Sequence, residues 1–399
     1  MNKQNILILC KVVDNFGDIG VVYRLAKALC DLRSELHLTL AVSNLETFSA
    51  MAKSVDKSKK IQNFSYKNKN GEISTWKIVD WNLDISNDNE NCEAEKIARE
   101  NQIILECFQC GRPEWLENVL FGDGFNQNVQ IINIDYLTAE EYADDFHLLR
   151  SGTRKTCVKK IFFMPGFTKK TGGLIFSEEK KLTDAKLFEK LNGSNSDFKI
   201  SFFAYERDCT PIVNAISEFQ AEKQRKKNFS VCVFVAAGKS FSPFMSAYEK
   251  AGKPFKIVEL PFLQQEEWDF LLTKMDFNFV RGEDSLSRAA LSGIPYIWNA
   301  YIQDDDYQLV KVGALLERMK PFFQDDDFEL IKNSWKNYNQ KKFSSEEVLE
   351  KQKSLLKSLL LFSSNSETFK NSFSAYSKNL KSNGNLAEHL LEYIETINF

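Results

Sequence analysis

The sequence predicts an α/β protein built as two successive lobes with a helical tail, and three observations carry that prediction. The chain has 399 residues, more than one hydrophobic core ordinarily organises. Short apolar runs alternate with helix-period segments up to about residue 310. A polar stretch over 177–198, "SEEKKLTDAKLFEKLNGSNSD", separates two such series and reads as a helix plus linker.

The elements follow in order. "NILILCKVV" is a continuous apolar run, the mark of a parallel strand covered on both faces. Val22, Leu25, Ala26 and Leu29 then recur on one helix face, and "HLTLAVS" returns as a strand, so the chain opens with a βαβ unit. "WKIVDW", "QIILECF" and "VQIINIDYL" extend the first series. In the second, "KISFFAYE", "FSVCVFVAA", "FKIVELPF", "DFNFVRG" and "PYIWNAY" read as strands. "PIVNAISEFQAEKQ", "QQEEWDFLLTKM" and "DSLSRAALSG" read as helices. Beyond about residue 310 the chain is mostly helical, with "SSNSETFKNSFSAYSKNLKSNGN" expected as a polar bridge and "LAEHLLEYIETI" as a closing helix. The expected divisions are 1–180, 195–375 and 385–399.

Composition excludes several classes. Hydrophobic residues at 43% and charged residues at 27% fit a soluble globular chain. A net charge of −3 lacks the basic excess that a nucleic-acid backbone requires, and the run "KSVDKSKK" reads as solvated surface. No apolar stretch reaches membrane-spanning length and no signal-peptide pattern opens the chain, so a cytoplasmic protein is expected. Several of the eight cysteines lie inside apolar runs, as buried thiols in a reducing compartment do. Cys107 and Cys110 have CxxC spacing, but no second pair or nearby histidine completes a zinc set. No metal site is expected.

Ligands of open α/β sheets bind at the carboxyl ends of the strands. At the first such end stands "DNFGDIG". Gly17 and Gly20 permit close backbone approach, but the spacing is not GxGxxG. Asp14 and Asp18 would repel a pyrophosphate on this turn and suit a cationic or proton-giving group instead. For Asp18 a helix cap competes with that reading, and Asp14 leans toward organising the loop. In the second series "RGEDSLSRAALSG" follows a strand. Gly282 opens the turn, Asp284 or Ser285 can cap the helix, Glu283 can accept from sugar hydroxyls, and Arg281 can meet a phosphate or a carboxylate. Tyr205 and Phe262 end strands where they could flank a flat base, with Gln265 at its edge. An ordinary capped helix and core aromatics are the plainer alternatives. The three histidines are scattered and support no nucleophilic triad.

"CKVVDNFGDIGVVYRLAKAL", "GFTKKTGGLI", "LPFLQQ" and "RGEDSLSRA" occur in the order found in one family. The chain resembles the protein-arginine rhamnosyltransferases of bacterial elongation factor P. The resemblance implies a GT-B architecture of two Rossmann-like domains facing across a cleft. It implies dTDP-β-L-rhamnose as donor, one arginine of elongation factor P as acceptor, inversion at the sugar carbon, and no cofactor. By matched position Asp18 is the catalytic carboxylate, Asp14 supports it, and Glu283 holds the donor. Asn15, Phe16, Gly17, Tyr205, Gln265, Asp284 and Ser285 complete the nucleotide-sugar site. Gln264 stands where the resemblance implies proline. Alternatives are a GT-B enzyme with another donor or acceptor, and a non-catalytic binder of a translation factor.

Overall fold

The computed structural model describes residues 4–13, 16–176, 189, 196–340 and 346–398. The expected linker over 177–198 therefore lies almost wholly outside the described residues, as do Asp14 and Asn15. The chain divides into two compact units, Met1–Ser177 with Asn383–Phe399, and Glu178–Ser382.

In the first unit, β1 (Asn5–Cys10), α1 (Phe16–Leu32), β2 (His37–Val42) and α2 (Leu45–Met51) lead into an antiparallel pair, β3 (Ile61–Lys67) and β4 (Ile73–Asp80). There follow α3 (Asp88–Glu100), β5 (Ile103–Cys107), α4 (Glu114–Phe121), β6 (Val129–Ile134), α5 (Tyr142–Phe146), β7 (Arg150–Ser151) and β8 (Val158–Phe163). The sheet order is β3-β4-β2-β1-β5-β6-β8-β7, parallel except at β3/β4 and β7/β8. Along β1 the side chains alternate between two cores. Ile6, Ile8 and Cys10 join the layer that includes α1, and Leu7 and Leu9 join the opposite layer with Trp115 and Leu116. Both faces are covered, which is why the strand reads as unbroken apolar sequence. Val22, Leu25, Ala26 and Leu29 are buried as the periodicity requires. The strands β3, β7 and β8 had no counterpart in the sequence reading: β3 and β8 interleave buried residues with exposed polar ones, a weaker signal than a run covered on both faces, and β7 is only two residues long.

The second unit holds β9 (Phe198–Phe202), α6 (Thr210–Gln224), β10 (Val231–Val235), α7 (Phe241–Lys250), β11 (Lys256–Glu259), α8 (Gln265–Thr273), β12 (Phe277–Arg281), α9 (Gly282–Ser292) and β13 (Tyr296–Asn299). Helices α10 (Tyr307–Met319), α11 (Asp325–Tyr338), α12 (Glu346–Asn365) and α13 (Glu367–Ser382) follow. Its sheet is parallel throughout, in the order β11-β10-β9-β12-β13. Each sheet thus reverses its winding beside its first strand, between β1 and β5 and between β9 and β12. In doubly wound sheets a ligand crevice opens at that reversal.

The stretch expected as a polar bridge is helical. Phe369, Phe373, Tyr376 and Leu380 recur on one face of α13 and are buried, so the many serines and asparagines around them mask an amphipathic helix. The serines have a use. Ser377 donates to the Leu291 carbonyl at 2.6 Å, and a Cβ at Gly293 would stand 3.3 Å from the Ser374 Cα. Gly293 itself has φ +72 and ends α9 in the left-handed cap that glycine favours. The closing helix α14 (Leu386–Glu395) belongs to the first unit, where Leu390, Leu391 and Ile394 enter the α1-side core.

Candidate functional site

In the first unit, Asp18 lies in the first turn of α1, beyond the carboxyl end of β1, and is 3% exposed. It is not the cap of that helix, which starts at Phe16. Its Oδ2 accepts the Val13 N–H at 2.7 Å, so the carboxylate braces the strand-to-helix turn from inside. Its Oδ1 accepts from the Tyr136 hydroxyl at 3.4 Å. Phe16 and Gly17 are exposed at the helix start.

Tyr136 follows β6, and its ring stacks on Phe108, which follows β5, with centroids 4.6 Å apart. Asp135 joins the two loops: Oδ1 accepts the Tyr136 N–H at 2.8 Å and Oδ2 accepts from Gln109 Nε2 at 2.7 Å. Phe108 and Gln109 have φ of 61 and 51, the left-handed region. For two consecutive residues with side chains that costs about 1–2 kcal/mol each. The Asp135 bonds, the stacked rings and the Phe108 N–H bond to the Ile134 carbonyl hold them there. None of Phe108, Gln109, Asp135 and Tyr136 stood out in the sequence, where the end of β5 drew notice only for the spacing of Cys107 and Cys110. The rule that ligands meet strand ends points equally to the ends of β5 and β6.

The CxxC pair sits in the same turn and is chemically quiet. Burial pushes the Cys107 thiol well above its ordinary range and the Cys110 thiol up to about 11. Cys10 is raised likewise, first by burial and then by the neighbouring Asp18 carboxylate. Thiols held protonated are poor nucleophiles and poor ligands. Glu106, buried on β5, is matched by Arg112 at 2.7 Å and Lys160 at 2.9 Å, a structural ion cluster.

In the second unit, residues at the carboxyl ends of β9 and β12 meet. The Arg281 guanidinium lies over the rings of Phe203 at 4.5 Å and Tyr205 at 4.7 Å. Gly282 has φ +67, and a Cβ there would lie 3.5 Å from the Tyr205 hydroxyl. The Gly282 carbonyl accepts from Trp298 Nε1 at 3.0 Å, and the Tyr205 N–H is held by Asn299 Oδ1 at 3.0 Å. Helix α9 begins at Gly282 with Arg281 as its cap. Asp284 and Ser285, expected as possible caps, instead lie within its first turn, because the left-handed glycine starts the helix two residues earlier. Asp284 stands 3.8 Å from Arg288, Ser285 is buried, and Glu283 reaches Lys311 at 4.0 Å.

Phe262 is 51% exposed on the loop before α8, and Gln265 is that helix's first residue. One turn on, Trp268 meets Phe203 edge to face at 5.4 Å. Tyr301, 60% exposed, meets Tyr205 in the same way at 5.3 Å. A file of Tyr301, Tyr205, Arg281, Phe203 and Trp268 therefore lines this sheet end, and only Tyr205 and Arg281 were singled out in the sequence. At Gln264 φ is −66, which proline would accept, but its N–H donates to Glu267 Oε2 at 2.7 Å and closes the start of α8. Among the described residues no group of three or more His, Cys, Asp and Glu side chains is placed to hold a metal ion, and no helix is long and apolar enough to cross a membrane.

The arrangement gives one unit a buried, braced carboxylate beside an aromatic pair. It gives the other a helix start with a guanidinium, aromatic rings and a carboxylate. The first suits a cation, the second a nucleoside diphosphate and its sugar.

A family model described as elongation factor P (EF-P) rhamnosyltransferase EarP matches residues 6–395. A protein-arginine rhamnosyltransferase of Shewanella oneidensis MR-1 is 30% identical over 336 residues, 77% of this chain and 79% of that protein. A solved structure described as the structural basis for EarP-mediated arginine glycosylation of translation elongation factor EF-P superposes with a TM-score of 0.55 at 19% identity. It covers 99% of this chain and 100% of that chain. A spinosyn rhamnosyltransferase complexed with spinosyn aglycone reaches 0.50 at 9% identity, over 98% of this chain and 100% of that one. These structural likenesses concern the fold, which is that of the GT-B glycosyltransferases.

Proposed function

We propose, from the premise that this chain belongs to the EarP family of protein-arginine rhamnosyltransferases, that it moves L-rhamnose from dTDP-β-L-rhamnose to an arginine side chain of elongation factor P. The observation that carries the reading furthest is Asp18, a carboxylate buried at a strand end whose oxygens accept from the Val13 N–H and the Tyr136 hydroxyl.

A guanidinium is protonated at any cellular pH and its lone pairs are delocalised, so it is a poor nucleophile. Asp18 anchors it, aligns one nitrogen and accepts a proton as the C–N bond forms. Attack from the face opposite the diphosphate inverts the sugar carbon. The leaving diphosphate gains charge, which the first turn of α9 and Arg281 offset. Glu283 accepts from the rhamnose hydroxyls. Phe262 and Tyr205 contact the base and sugar, with Gln265 at the base edge and Gly282, Asp284 and Ser285 shaping the phosphate turn. The family resemblance assigns Asn15, Phe16 and Gly17 to the nucleotide-sugar site and gives Asp14 the support of Asp18. The division of labour is electrostatic: a negative group for the arginine, a positive helix end for the phosphates.

The test is to mix the protein with dTDP-rhamnose and elongation factor P and weigh the factor by mass spectrometry. A gain of one deoxyhexose, mapped to an arginine, is the expected result. A factor of unchanged mass, or a gain only with a UDP or GDP sugar, overturns the assignment.

A further inference from the structure

We propose that Tyr136 is a platform for the acceptor guanidinium and at the same time the group that fixes the Asp18 carboxylate for it, an inference that rests on the arginine-transfer reading above. The hydroxyl of Tyr136 reaches Asp18 Oδ1 at 3.4 Å, while the other oxygen is already taken by the Val13 N–H. The carboxylate plane is therefore set by two donors from two different loops. The ring is 39% exposed, and it lies flat on Phe108. A planar cation that pairs with Asp18 comes within reach of that ring, and guanidinium stacks on aromatic faces while keeping its N–H groups for a carboxylate.

The cost of building this corner also points to use. Two consecutive side-chain-bearing residues, Phe108 and Gln109, are held in the left-handed region, and Asp135 is spent on tying Gln109 to the Tyr136 backbone. Backbone strain kept at a strand end beside a catalytic carboxylate is characteristic of a positioned site. In this scheme Tyr136 neither gives nor takes a proton. It binds the acceptor through its ring and orients Asp18 through its hydroxyl.

The two functions separate by substitution. Initial rates are measured against elongation factor P at saturating dTDP-rhamnose, with donor affinity by calorimetry and thermal unfolding as controls. Tyr136→Leu removes ring and hydroxyl, and the acceptor KM is expected to rise about tenfold while kcat falls. Tyr136→Phe restores the ring alone, so KM returns to the parental value and kcat stays several-fold low. Donor affinity is unchanged in both. A structural role alone would not yield this split, nor the rescue of KM by phenylalanine. If the leucine variant melts early, the phenylalanine variant decides: parental KM with lowered kcat supports the proposal, and raised KM overturns it. Leucine-variant constants within twofold of the parent also overturn it. If the parental protein itself transfers nothing to arginine, the functional reading fails first, and the platform with it.

Discussion

Replacing Asp18 by asparagine separates chemistry from folding more cleanly than any other change in the molecule. The two side chains have one shape. The new amide oxygen can keep the Val13 N–H at its 2.7 Å position, and the amide nitrogen then faces the Tyr136 oxygen, which can accept. What is lost is the charge. A hydrogen bond to a charged group contributes about 1.5–3 kcal/mol and a neutral one about 0.5–1.5, so the fold loses on the order of 1 kcal/mol. In a unit of this size that lowers the melting temperature by about 2–4 °C. Transfer loses far more. General-base assistance is worth roughly 10² to 10⁴ in rate. A drop of about 10³ in kcat corresponds to about 4 kcal/mol of barrier. Donor binding, assigned to the second unit, should be unchanged. The assay is the mass gain of elongation factor P over time, with calorimetric donor titration and a melting curve on the same sample. An Asp18→Asn protein that transfers within tenfold of the parent would refute the assignment, because no other carboxylate among the described residues braces this turn.

Glu283→Ala removes a carboxylate proposed to hold the sugar hydroxyls and leaves Lys311 without that neighbour. Donor Kd should rise about tenfold or more, the value of one charge-assisted hydrogen bond, and calorimetry showing unchanged affinity would count against its placement. His147 gives a pH prediction. Burial, with His389 nearby, lowers its pKa from 6.5 to about 4, and its Nδ1 accepts the Met164 N–H at 3.1 Å, which demands the neutral ring. The unfolded chain takes up this proton first, so the contribution is intact above pH 6.5 and is lost as pH falls from 6.5 to about 4. The loss is on the order of 3 kcal/mol at most, less for the ring's partial exposure. His147→Asn, whose Oδ1 can accept the same N–H, should flatten that limb of the denaturant midpoint against pH. An unaltered slope would show that another group governs it.

What the sequence determined by itself is local. The unbroken run of β1, the helix face of Val22, Leu25, Ala26 and Leu29, and the polar residues placed just past strand ends are written within windows of ten to twenty positions. There the physics is periodicity and backbone geometry, which neighbours in the chain decide. Asp18, Arg281 and Glu283 stood out for that reason, since Arg281 ends β12 and Asp18 and Glu283 lie in the first turns of the helices that follow β1 and β12. Motif order added the family, which periodicity could not. What only the tertiary structure decided is adjacency. Tyr136 lies 118 positions from Asp18 and reaches it because β1, β5 and β6 run side by side, an order no single window encodes. Helix α13 was hidden in the same way, because its serines look like loop until Gly293 and Leu291 are set against them. Pairing between distant strands costs chain entropy that only the assembled core offsets, so it is settled by the whole sheet and not by either partner's sequence.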